Sequence, residues 1–468
     1  MGNNGSTSAA SVGAIDEHVE TELPSEQRAA TVQRELEFVH DMRNGMVRAR
    51  DTLGDHFLLK SLGQDVAGFC GPVMLAEYEA HEAAGRIARG AATPPGLHQL
   101  FGRILSMMDG EAHAQRKAAL LVAFEPAHIA AYAPVIRKVV ESAHASWVAK
   151  ESVISLALES NRLVFKISLV VLLGVTDDIV EPYRLLFQDF SASWRRSFMS
   201  ADPLALACRK RVIAELLMPA LEASKARVKE NRSLPCALDV LVAQTSLTDE
   251  ELLDESFHFL FAGGGTQCLV TNTITAGIVF TQAREKLLAA RDAFFVKYPC
   301  DDDRWAHLND LGYMNDFLRE VKRFYVAGLT ETFGRVTEDF AVTTPDGVVN
   351  VPKGALAVAG LEATSKHPRV WANPATFDPD RFATHHETGF SLCPHGFGSH
   401  RNRRCAGESL AHLILQSSLL SLLHYTWQMV PSQSYELDQT LSTPVPLGQL
   451  MAHHFHRRTE GNEDMEFF

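Results

Sequence analysis

Thr248, Asp249, Glu250 and Glu251 form a Thr-x-x-Glu capping box, and the apolar helical pattern behind it runs to about Thr281. At 1.5 Å per residue such a helix is on the order of 50 Å long, the width of a whole molecule. A helix that long and that apolar must cross the core, so the remaining chain has to be built around it. Helical periodicity also dominates residues 25–60, 115–150, 155–185 and 205–230. Strand signals are few. Residues 340–344 and 348–351 flank a Pro345-Asp346-Gly347 turn, and 355–361 reads as a further strand or a buried helical segment. These patterns predict a mainly α protein with small β-sheets.

The chain has 468 residues, above the usual single-domain range, yet shows no long Gly/Ser- or Pro-rich linker and no internal repeat. Its net charge of −13 argues against nucleic acid as a partner. Seven scattered cysteines without metal-finger spacing fit a reducing compartment. The first two dozen residues are polar and acidic, lack the apolar core of a signal peptide, and read as a disordered tail. The longest apolar run, 163–175, contains Lys166 and is too short to span a bilayer.

Near the C-terminus the chain reads His395-Gly396-Phe397-Gly398-Ser399-His400-Arg401-Asn402-Arg403-Arg404-Cys405-Ala406-Gly407-Glu408, and a long apolar helical pattern follows at once. This is what a buried metal needs from a thiolate ligand. Loop N–H groups and the helix N-terminus lower a thiol's pKa, glycines admit close approach of a flat group, and arginines meet its anionic substituents. Three further segments precede it. Gly263-Gly264-Gly265-Thr266-Gln267 interrupts the long helix with three glycines that each cost roughly 1 kcal/mol against Ala, which suggests a local opening or close packing against a flat ring. Glu320 and Arg323 share one helix face at i, i+3 and can form a bidentate ion pair. A proline-spaced aromatic loop, 367–382, contains Asp378-Pro379-Asp380-Arg381-Phe382.

As an ordered set over roughly residues 100–450, these segments resemble the cytochrome P450 superfamily. The resemblance implies one large fold, a triangular helical prism with small β-sheets around a buried haem b whose iron is held by Cys405. The implied limits are a tail at 1–24, a domain at 25–456 and a second tail at 457–468. Phe397 and Arg403 match the haem-contacting aromatic and basic positions of the cysteine loop. His113 and Lys117, at i, i+4 in a predicted helix, and Arg335, placed just before the first strand, match the remaining propionate-binding positions. Together they imply a cationic ring for two carboxylates. Whether Arg401 or Arg404 points outward is not fixed by spacing. Glu320, Arg323 and Arg381 match the family's structural ion-pair network.

Two departures from the family pattern bear on chemistry. The usual loop has Phe seven residues before Cys and Gly four before it, whereas here Phe397 is eight before and Arg401 holds the glycine's place. Such irregular loops resemble those of branches that use peroxides. The acid that commonly precedes the helix threonine is replaced by Gly265, leaving Thr266 and Gln267 as the polar groups. The resemblance places Phe257, Phe261 and Ala262, then Val326, Ala327, Gly328 and Leu329, and finally Val445, around an apolar substrate pocket.

The implied activity is that of a monooxygenase or peroxygenase acting on a hydrophobic small molecule. It uses either O2 with an external ferredoxin- or flavodoxin-type reductase, since no flavin or nicotinamide motif is present, or hydrogen peroxide with no partner. A hydroperoxide-rearranging isomerase or lyase of the same fold and a non-catalytic haem-binding protein are the alternatives. The membrane-bound members carry an N-terminal anchor that this sequence lacks, so the expected location is soluble and cytoplasmic.

Overall fold

The computed structural model describes residues 42–458, apart from 62, 151, 177–178, 327–330, 345–346, 386 and 439–443. The predicted tail at 1–24 and the Pro345-Asp346 turn lie outside the described residues. The capping box forms as expected: Glu251 N–H donates to Thr248 Oγ1 at 3.3 Å and Thr248 N–H donates to Glu251 Oε2 at 2.9 Å. The central helix it opens runs Asp249–Val279. It stops two residues early because Phe280 leaves helical geometry, and a new helix, Thr281–Lys297, starts directly behind it. Its second half, from Cys268 to Gly277, is wholly buried. The helices Leu156–Leu173 and Glu408–Leu422, themselves buried over most of their length, share its core.

The helical pattern expected over 25–60 ends at Leu53. Gly54, at φ +95°, turns the chain out of the helix into strand β1 (His56–Ser61). The expected 155–185 helix is two, divided by Gly174 in the left-handed region. The 205–230 helix carries a π turn at Ile213–Leu217. The 355–361 segment contains both readings, strand β8 (Leu356–Gly360) running straight into a helix, Leu361–Ser365.

The remaining strands are β2 (Gln64–Cys70), β3 (Ile87–Ala88), β4 (Ile154–Ser155), β5 (Glu331–Val336), β6 (Phe340–Thr344), β7 (Gly347–Val351), β9 (Tyr425–Met429) and β10 (Met451–Arg457). They form a five-stranded sheet ordered β1-β2-β8-β5-β3, a three-stranded sheet β4-β10-β9, and the β6–β7 pair foreseen from sequence. β2 runs parallel to β8 and the other pairs are antiparallel. Arg335 lies inside β5, not ahead of the first strand, because β1–β3 and β5 carried no alternation legible in the sequence. β10 extends to Arg457, one residue past the expected domain limit. Among the described residues no single helix is long and apolar enough to cross a membrane.

Candidate active site

The cysteine loop is held by its backbone. Cys405 N–H donates to the His395 carbonyl at 2.8 Å. Gly396 and Gly398 both take positive φ, +85° and +76°. A Cβ on Gly398 would overlap the Glu79 carboxylate, which instead accepts from Ser399 N–H at 3.0 Å and Asn402 Nδ2 at 3.3 Å. Arg404 turns back to Glu408 and Arg401 is exposed, which settles the orientation that spacing left open. Cys405 itself is exposed by surface area, yet burial is the dominant influence on its thiol and pushes its pKa up. Both hold for a side chain deep in the protein that borders an internal open space. The expected lowering by the loop is present, from Gly407 N–H, Lys117 and Arg404, but desolvation outweighs it.

The central helix borders such a space too. Residues 254–257 and 268–277 are buried, but Phe261 and 263–267 are partly exposed and Ala262 is exposed, in the middle of a core helix. The helix continues unbroken through its three glycines, so the predicted local opening does not occur. The glycines instead remove bulk: a Cβ on Gly265 would meet nothing within 4 Å, and one on Gly263 would sit 3.2 Å from Ser168 Oγ. Three later threonines, Thr271, Thr273 and Thr275, satisfy their hydroxyls on the carbonyls of Gln267, Leu269 and Thr271 at 3.1, 2.8 and 3.0 Å. Thr266 makes no hydrogen bond of that kind among the described residues, so its hydroxyl is left for whatever occupies the space beside it.

His113 and Lys117 lie on the helix Gly110–Leu121 and both are buried. Lys117 Nζ donates to the Arg404 carbonyl. Burial, then Arg403 and Lys117, lower the His113 pKa to about 3. Arg403 donates to the Met108 carbonyl at 2.8 Å and pairs with Asp109 at 3.0 Å and Glu82 at 2.9 Å. Glu82 also takes Arg89, at 2.8 Å, and the Arg89 guanidinium lies over the Tyr78 and Phe397 rings at 5.6 and 5.5 Å. Arg335 is opposite Ala88 in the sheet, next to Arg89, and donates to the Gly354 carbonyl at 2.9 Å. Glu82 and Arg89 escaped sequence reasoning. No local pattern marks them, since Arg403 is more than 300 residues away and Arg89 lies beyond a turn.

Of the pocket residues, Phe257 is 1% exposed, enclosed by Phe187 and Phe190 at 5.3 and 5.0 Å, and is core rather than lining. Val326, at φ +32°, is fully buried and likewise drops out. Phe261, against Phe101 and Trp194, and Ala262 keep accessible surface, and Val445 is at the margin of burial. Ala327, Gly328 and Leu329 lie outside the described residues.

A family model described as Cytochrome P450 matches residues 30–451. Thromboxane-A synthase of Rattus norvegicus is 29% identical over 209 residues, which are 43% of this chain and 35% of that protein. The chain thus aligns with about a third of that relative's length. The retinoic-acid-bound structure of cyanobacterial CYP120A1 superposes with a TM-score of 0.73 at 21% identity, covering 91% of this chain and 96% of that one. Cytochrome P450SP alpha (CYP152B1) in complex with (R)-ibuprophen gives 0.71 at 20% identity, covering 90% and 98%. At these identities the structural likeness is one of fold.

Proposed function

The chain belongs to the cytochrome P450 family and is a haem-thiolate enzyme, and we propose that it oxidises an apolar small molecule with peroxide as an effective alternative to O2 and a reductase. The residues present fit haem b. An accessible thiol heads the helix Glu408–Leu422, the glycine-lined window of the central helix leaves open space, and buried cations stand to one side. Bound haem would supply the oxygen-activating centre. Cys405 would be its ligand, with Gly407 N–H and Lys117 stabilising the thiolate. Arg403, Lys117 and Arg335 would share their present partners with the propionates, and His113 would offer a ring N–H.

The observation that carries the oxidant assignment is the empty side of Gly265 beside an uncommitted Thr266 hydroxyl. A positioned general acid contributes typically about 10²–10⁴-fold. No carboxylate occupies 265, so proton supply for O2 rests on Thr266, Gln267 or the substrate. Peroxide brings its own protons and electrons and needs that supply less. The test compares product yield with peroxide alone and with O2 plus a surrogate reductase, over a panel of apolar acids such as retinoic acid and neutral analogues. Thr266→Ala is expected to lower the O2 yield severalfold more than the peroxide yield. Coupled O2 turnover with negligible peroxide activity on the same substrate would overturn the assignment. Product from an added organic hydroperoxide without net oxidation would favour the rearranging alternative, which the missing acid equally suits.

The cation roles have their own test. An Arg335→Ala, Arg403→Ala double variant is expected to lose most of its haem per polypeptide, because buried carboxylates without cations are strongly disfavoured. Purified-protein haem assay reads this directly. Full occupancy with only a lowered melting temperature would mean that Arg403 serves its protein partners, Glu82 and Asp109, alone.

A further inference from the structure

Outside the haem site, the flank of the cysteine loop carries a polar pocket of about 200 Å³, lined by Lys322, Glu387, Thr388, Gly389, Arg404 and Glu408, together with Leu392 and Pro394. That is well above the on the order of 10–15 Å³ a single water needs. Lys322 sits between Glu320 and Arg323 in sequence but on a different face of the helix Tyr313–Tyr325. It is 7% exposed and makes no hydrogen bond or ion pair among the described residues, although it lines the pocket. The acids nearby are engaged elsewhere. Glu408 is held bidentately by Arg404 at 2.6 and 2.7 Å, and Glu387 by Arg319 at 2.7 Å. Arg404 spends Nε and Nη2 on Glu408, while Nη1 lies near Gly389 and meets no acceptor among the described residues. Burial lowers the Lys322 pKa, and the nearby Glu408 and Glu387 carboxylates offset only part of that. An ammonium with no hydrogen-bond partner among the described residues, at the wall of a polar pocket, is placed to receive an anion, and the pocket has room for one.

We propose that this pocket is a binding site for a small oxyanion, a carboxylate or a phosphate, received by Lys322 Nζ and Arg404 Nη1. Loss of one charge-assisted donor weakens such binding by about tenfold or more. The test is calorimetric titration of haem-loaded protein with inorganic phosphate and, separately, acetate, at constant ionic strength set with chloride. Wild type is expected to bind at least one of them saturably, and the stronger arm identifies the tetrahedral or planar source. Lys322→Met should lose at least tenfold in affinity. Glu387→Gln, which removes a negative charge from the lining, should gain severalfold and does not depend on the lysine variant folding. Absence of saturable heat for both anions in wild type, or equal affinity in the Lys322→Met variant, would overturn the proposal. So would weakened binding in Glu387→Gln.

Discussion

Cys405→Ser is expected to abolish the long-wavelength, thiolate-type band of the reduced carbonyl complex, while single replacement of any other cysteine leaves it intact. The six others are poor competitors. Cys70, Cys236 and Cys393 are buried with thiols pushed up to about 12, chiefly by desolvation. Cys208 is buried and raised in the same direction. Cys268 donates its S–H to the Pro444 carbonyl, and Cys300 is on the outer surface ahead of a short helix. Cys405 alone combines contact with open internal space, a donated Gly407 N–H and a nearby ammonium, Lys117. The spectrum of each purified variant decides the matter. A normal band in the Cys405 variant would remove the basis of the functional reading.

Glu320→Ala or Arg323→Ala should cost about 3–5 kcal/mol of stability, the loss typical when one partner of a buried ion pair is left alone. Both side chains are wholly buried and joined twice at 2.7 Å. The pair also stitches the 372–378 loop to its helix. Arg323 donates to the carbonyls of Ser365, Pro374 and Thr376, and Glu320 accepts from Asp378 N–H at 2.8 Å. Arg381 completes the arrangement, pairing with Glu320 at 3.2 Å and donating to the Ala372 and Thr376 carbonyls at 2.7 and 2.9 Å. Denaturant midpoints of the single variants should fall sharply. Glu320→Leu with Arg323→Leu should recover part of the loss, since it leaves no orphaned charge. Equal midpoints for wild type and the alanine variants would show that the network contributes little.

The sequence made legible those elements whose signals are local. The capping box, the cysteine loop with its helix, the Glu320–Arg323 spacing and the β6–β7 pair each lie within a few tens of residues. What stayed hidden depends on contacts between distant segments. β1 falls at the end of the helical pattern read over 25–60, and β2, buried from Val66 to Cys70, shows no alternation because its parallel partner β8 appears much later in the chain. Glu82 bridges Arg89 and Arg403 across a turn and most of the chain. Lys322 reads as an ordinary surface charge until the helix is docked, although its place four residues after Leu318, itself fully buried, is the one hint of its inward face. Phe257 and Val326 belong to the pocket only by the family resemblance, and in the structure both are closely packed and buried.

The register of the main sheet sets an order of events at the ribosome. Val66 of β2 pairs in parallel with Leu356 of β8, about 290 residues later. At roughly 5–20 residues per second, translation of that interval takes roughly 15–60 s. Through all of it β2 has an unsatisfied edge of Val66, Ala67 and Phe69, a ready template for pairing with another chain. Long-range parallel pairing of this kind is intrinsically slow even once both strands exist. The N-terminal hairpin therefore waits for the C-terminal third, and the yield of native protein depends on what shields that edge in the interval.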